Sequence, residues 1–196
     1  MPNSELPTDS ANPAAAEPRR LFIALWPDAG LQGKLHALGG EQLAGSRGRR
    51  IPQENLHITL AFLGIVRPAQ QACMERVAST IQAPAFTLTL DQAGFWPRKG
   101  ILWAGGTAPE GLLALVRELN QRLIACDFEP ETRPFQAHLT LARDVRSQRL
   151  DCDRAITPLA WKVSQFALVA SQTLPEGARY EVLKTWRLEN GQDLQD

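Results

Sequence analysis

"LHITLAF" at residues 56–62 and "AHLTLAR" at residues 137–143 decide how this chain must be read. In the first stretch Leu56, Ile58, Leu60 and Phe62 alternate with His57, Thr59 and Ala61, the period of a half-buried strand. In the second, Leu139 and Leu141 alternate with His138, Thr140 and Ala142. Residues two apart on a strand share a face, so His57 projects with Thr59 and His138 with Thr140. Ala61 and Ala142 keep the next polar-face position small.

The flanking segments repeat as well. The apolar run 21–26 ends at Pro27 and reads as a strand, with a helix over 29–43 and then a Gly/Ser/Arg loop at 44–50. After the first motif come a helix from Pro68 to about Ile81 and a strand over 86–90. A strand at 101–105 follows, then a helix behind Pro109, where Leu112, Leu115, Val116, Leu119, Leu123 and Ile124 fall at helical spacing. The second motif comes next, then a polar stretch at 144–158 and two closing strands, within 161–171 and 179–188. The order strand–helix–motif strand appears twice. It predicts an α+β fold built by divergent duplication: two pseudo-symmetric lobes of mainly antiparallel sheet, helices outside, and a central cleft. The domain is expected over 19–189, between a Pro/Ala/Ser-rich tail at 1–18 and a polar tail at 190–196.

With 44% hydrophobic residues the 196-residue chain can build a packed core. Its 21 basic residues equal its 21 acidic ones, which disfavours a general nucleic-acid coat and leaves room for local basic patches. No stretch has the ~20 apolar residues of a membrane span, and the start lacks a signal-peptide pattern. Cys73, Cys126 and Cys152 are odd in number and scattered, predicting a reduced cytoplasmic protein with no disulfide framework and no cysteine zinc site.

Opposed histidines, one neutral and one protonated, suit in-line displacement at phosphorus, which needs proton removal on one side and delivery on the other. Threonine hydroxyls can donate to non-bridging phosphate oxygens. The remaining histidine, His36, sits on a predicted helix without a supporting ligand set, so no metal is expected.

The paired "HITL" and "HLTL" motifs resemble those of the 2H (two-histidine) phosphoesterases. Together with "RLFIALWP", "NLHITLAFLG", "ILWAGG", "HLTLAR" and "SQTLPEGARYEVLKTWRL", they resemble the RNA 2′,3′-cyclic phosphodiesterase, or 2′-5′ RNA ligase-like, branch over residues 20–188. The resemblance implies hydrolysis of a 2′,3′-cyclic phosphate RNA end to a 2′-phosphate, without metal or nucleotide cofactor, and ligation to a 2′-5′ bond in reverse. It makes His57 and His138 the catalytic histidines and Thr59 and Thr140 phosphate binders; His57 is taken as the proton donor and His138 as the proton acceptor, an assignment that the symmetry of the two motifs leaves open. Arg143 matches an arginine that follows the second motif in this branch; strict alternation puts it on the wrong face, so it serves only if the strand ends or bulges there. Gln136 and Ala137 replace a His-Pro or similar pair.

Residues 46–50, "SRGRR", and 143–149, "RDVRSQR", are candidates for a basic rim. Phe95, Trp96 and Tyr180 are candidates for base stacking. The implied substrate is an RNA, such as a tRNA fragment, with a cyclic phosphate end, acted on by a monomer. Small cyclic nucleotides, cyclic ADP-ribose phosphate, or a non-catalytic RNA-binding role are the alternatives.

Overall fold

The computed structural model describes residues 17–146, 150, 153–175 and 177–189. Apart from Glu17 and Pro18, the expected tails lie outside the described residues, as do Cys152 and residues 147–149 of the second basic stretch. The chain runs through β1 (Arg19–Leu25), α1 (Ala29–Leu43), β2 (Arg47–Arg50), a 3-10 turn (Gln53–Asn55), β3 (Ile58–Val66), α2 (Pro68–Ala78) and β4 (Phe86–Trp96). It continues through β5 (Ile101–Gly105), α3 (Glu110–Leu123), a second 3-10 turn (Ile124–Cys126), β6 (His138–Arg146), β7 (Asp153–Val163), β8 (Gln165–Leu174) and β9 (Gly177–Arg187). No helix among the described residues is long and apolar enough to cross a membrane.

The fold is α+β with two antiparallel sheets, in strand orders β3-β1-β8-β9 and β2-β6-β5-β4-β7. Each motif strand pairs with the strand that precedes its helix: β3 with β1 across α1, and β6 with β5 across α3. Asp28 caps α1 by accepting from the Leu31 amide at 2.8 Å. Leu21, Ile23 and Leu25 of β1 point into one large core that also takes in Leu139 and Leu141 of β6 and the buried stripe of α3. Helix α1 packs on β6 and α3 on β3, so each motif strand is backed by the other unit's helix.

Three features differ from the sequence expectation. Residues 47–50, predicted as loop, form an exposed edge strand; charged side chains suit such an edge. Gly48 is required there, because a Cβ would stand 2.9 Å from the Val145 side chain. The polar stretch 144–158 contributes to β6 and β7, because exposed strands alternate with polar residues and read as loop, and the run 161–171 is two strands broken at Ser164 rather than one. Finally, Cys73 and Cys126 form a disulfide, with Cα atoms 5.7 Å apart, joining α2 to the turn after α3. Their separation of 53 residues hides a proximity that only folding creates.

Candidate active site

Both motif histidines are held in the same way. The His57 Nδ1–H donates to the Asn55 carbonyl at 2.7 Å, and the His138 Nδ1–H to the Gln136 carbonyl at 2.9 Å. Each bond reaches back two residues. It fixes the tautomer and leaves Nε2 for the cavity. The Asn55 side chain in turn donates to the Ala178 carbonyl at 2.9 Å, tying the turn before β3 to β9.

A cavity of about 80 Å³ lies where the sheets meet, lined by Ile51, Asn55, His57, Thr59, His138, Thr140, Arg143 and Tyr180. Since a water's share of liquid volume is ~30 Å³, this is room for one phosphate-sized group. A larger hollow of about 460 Å³, between α1 and β7, has no histidine on its walls.

Arg143 reaches the cavity through a bulge. In the β5–β6 ladder Leu102 faces Ala142 and Trp103 faces Thr140, leaving Leu141 as an extra residue. Leu141 and Ala142 are therefore both buried, alternation resets, and Arg143 falls on the face of His138 and Thr140. β3 has the same device. Ile23 faces Ala61 and Ala24 faces Thr59, so Leu60 is the extra residue, at the position equivalent to Leu141.

The two histidines differ in their surroundings. The Trp26 indole lies parallel to the His57 ring, 2° from coplanar with centroids 5.1 Å apart. Phe22 is 4.9 Å away and Tyr180 stands edge-on at 5.1 Å. Burial in this box, only partly offset by the bond to Asn55, lowers the His57 pKa from 6.5 to about 4, with Arg143 and His138 adding to the shift. His138 is lowered less: burial leads, the Gln136 carbonyl opposes it, and Lys99 and Arg143 add repulsion. Its ring meets Trp96 at 4.7 Å, and the Lys99 ammonium sits 5.1 Å over the Trp96 ring.

Of the residues predicted for the site, His57, Thr59, His138, Thr140, Arg143 and Tyr180 come together. Phe95 does not. It is 3% exposed and faces Leu102 within the core, so it cannot stack on a base; its neighbour Trp96 takes the opposite face, toward His138. Arg49 pairs with Asp144 at 3.5 Å beside the cavity. Asn55, Phe22, Trp26 and Lys99 are absent from the sequence reading. The signal for two of them was present: Phe22 and Trp26 alternate with Leu21, Ile23 and Leu25, so β1 has an aromatic face opposite its core face. Among the described residues, no group of three or more His, Cys, Asp or Glu is placed to hold a metal ion.

The 2′-5′ RNA ligase superfamily model matches residues 31–173. The chain is 34% identical over 174 residues to the RNA 2′,3′-cyclic phosphodiesterase of Escherichia coli K12, covering 88% of this chain and 98% of that one. It is 28% identical to the protein of that name from Archaeoglobus fulgidus, over 85% of this chain and 99% of the other. The crystal structure of E. coli LigT in apo form superposes with a TM-score of 0.79 at 33% identity, covering 89% of this chain and 100% of that one. The LigT complex with 3′-AMP gives 0.79 at 34% identity with the same coverage. Matched in sequence over most of its length and in structure over both sheets, the chain belongs to the 2′-5′ RNA ligase superfamily.

Proposed function

We propose that this protein is an RNA 2′,3′-cyclic phosphodiesterase, a hydrolase that opens the cyclic phosphate at an RNA 3′ end to leave a 2′-phosphate. The observation that carries it is the phosphate-sized cavity with two tautomerically fixed histidines, two threonines and one arginine on its walls. Names shared by relatives of 34% and 28% identity support the same reaction.

In this mechanism Thr59, Thr140 and Arg143 hold the non-bridging oxygens and stabilise the charge gained in the transition state. Nε2 of His138 takes a proton from water as the water oxygen bonds to phosphorus. The bond from phosphorus to O3′ breaks, and His57 Nε2–H gives its proton to that oxygen. Proton exchange with solvent resets the pair. With a 5′-hydroxyl in place of water the same steps would join two RNA ends, the 5′ oxygen bonding to phosphorus as the bond to O3′ breaks, to leave a 2′-5′ bond. In the empty cavity burial keeps the His57 ring neutral, so it is the bound phosphate, which favours imidazolium, that charges His57 for its role as donor.

The working unit is a single domain over 19–189, active as a monomer on ends such as those of tRNA fragments. The test is turnover of an oligoribonucleotide ending in 2′,3′-cyclic phosphate in excess EDTA, with the product phosphate located on O2′ or O3′. Release of a 2′-phosphate is expected. A 3′-phosphate product, or activity that appears only with a divalent ion, would refute the proposal.

A further inference from the structure

The bulge that delivers Arg143 to the cavity has a counterpart whose cargo differs. Three residues after Thr140 stands Arg143; three residues after Thr59 stands Phe62, turned onto the same face as Thr59 by the extra residue Leu60. Phe62, on the edge strand β3, leaves 56% of its surface exposed, a large apolar area for one ring. Across the sheet it faces Phe22, which faces Val169, which faces Val182. The next row is Ile65, Arg20, Ser171 and Tyr180. Of the four large hydrophobic side chains exposed among the described residues, Phe62, Ile65 and Val182 lie on this one face. The patch is continuous with the cavity, since Phe22 touches both His57 and Tyr180. Arg20 holds its guanidinium 5.5 Å from the Phe62 ring centroid.

We propose that Phe62 and Arg20 form a platform for the RNA strand upstream of the reacting end, with Phe62 stacking on a base and Arg20 pairing with a backbone phosphate. The inference rests on the cavity being the site of the cyclic phosphate. A cyclic phosphate closes the 3′ side of its nucleotide, so the rest of the strand must leave in the 5′ direction. An exposed ring beside a guanidinium on an open four-stranded sheet offers what single-stranded RNA uses: a π-face for any base and a cation for the backbone. Cation–π attraction at an exposed site is weak enough to be exchanged for these contacts. The substrate class is then a single-stranded oligoribonucleotide, preferred over a cyclic mononucleotide.

The measurement is equilibrium binding, by fluorescence anisotropy, of a 5′-labelled RNA of about six nucleotides ending in 2′-phosphate, with competition by the matching mononucleotide. Phe62→Ala should weaken the oligonucleotide about 5- to 100-fold more than the mononucleotide, the range for loss of one stacked base. Phe62→Trp should restore binding, and Ile65→Glu, which sets a carboxylate beside the strand, should weaken it in the same selective way. Ile65 is 65% exposed, so this second variant keeps the test open should Phe62→Ala fold poorly. Equal weakening of both ligands, or of neither, overturns the proposal. So does a Phe62→Ala variant that keeps its RNA affinity but loses self-association in sedimentation, which would make the face a contact between copies. If the oligonucleotide binds through Phe62 while its cyclic phosphate is never opened, the platform stands and the proposed activity falls.

Discussion

At the scale of single residues, the two histidines are equivalent in the motif and unequal in the fold, and the inequality is measurable. For His57, burial against Trp26, Phe22 and Tyr180 favours the neutral ring, so its proton is lost well below 6.5. A tetrahedral anion in the cavity favours imidazolium and raises both pKa values. Protons are then taken up between the free and bound values, and anion affinity climbs as pH falls through the bound ones. Sulfate, which does not itself titrate in this range, should bind more tightly at pH 5 than at pH 7 and move the His57 and His138 NMR titrations upward; unmoved titrations would mean that the cavity is no anion site. Because kcat/KM reports the free pair, its bell should centre below 6.5, with the kcat bell displaced to higher pH. Trp26→Ala opens one ring face to water and should shift the His57 titration upward from about 4. His57→Ala and His138→Ala should each cut turnover by about 10² or more, and Thr59→Val or Thr140→Val by about 10- to 10³-fold. His36→Ala, outside the cavity, serves as the control.

Secondary elements explain why part of the site was legible in the sequence and part was not. The repeated His-x-Thr stretches survive alternation, because residues two apart share a face whatever the strand does next. Arg143 does not. Five positions after His138, strict alternation gives it the wrong face, and only the Leu141 bulge corrects this. A bulge has no marker in "HLTLAR", since Leu141 would suit a regular strand equally well. Phe95 and Trp96 are both candidates in the sequence, but neighbours on a strand face opposite ways, so Trp96 turns toward His138 and Phe95 enters the core. What the bulge does can be tested through the residue it delivers. Arg143→Ala should lower kcat/KM by about 10- to 10³-fold, as for loss of one donor to a developing phosphate charge. Arg143→Lys should recover only part of this, since an ammonium lacks the planar fork that grips two oxygens at once. Wild-type rates in both variants would show that the bulge serves packing alone.

For the whole molecule, the repeated strand–helix–strand order does not yield two separable halves. The last strands, β8 and β9, complete the sheet that begins with β1, while β2 from the first half joins the sheet of the second. One core runs through both units, and α1 and α3 are exchanged between the motif strands. Unfolding should therefore be a single cooperative step. The Cys73–Cys126 bridge acts on that step from the side away from the chemistry, since neither cysteine lines the cavity. It ties α2 to the end of α3 and closes a segment of 53 residues. The chain-entropy model assigns a loop of this length about 4 kcal/mol, felt almost wholly in the unfolded chain. At about 2–4 °C per kcal/mol for a protein of this size, reduction should lower Tm by about 8–16 °C. The double variant Cys73→Ser, Cys126→Ser should lower it by a similar amount and make it insensitive to reductant. At 25 °C kcat should hold in both, because a brace acting on the unfolded ensemble leaves the cavity as it was. A thermal scan of the fully reduced protein, with thiols counted by mass, decides this. An unchanged Tm would mean that the packing of α2 against α3 holds that side without the bond, and a fall in kcat at 25 °C would mean that the brace reaches the active site.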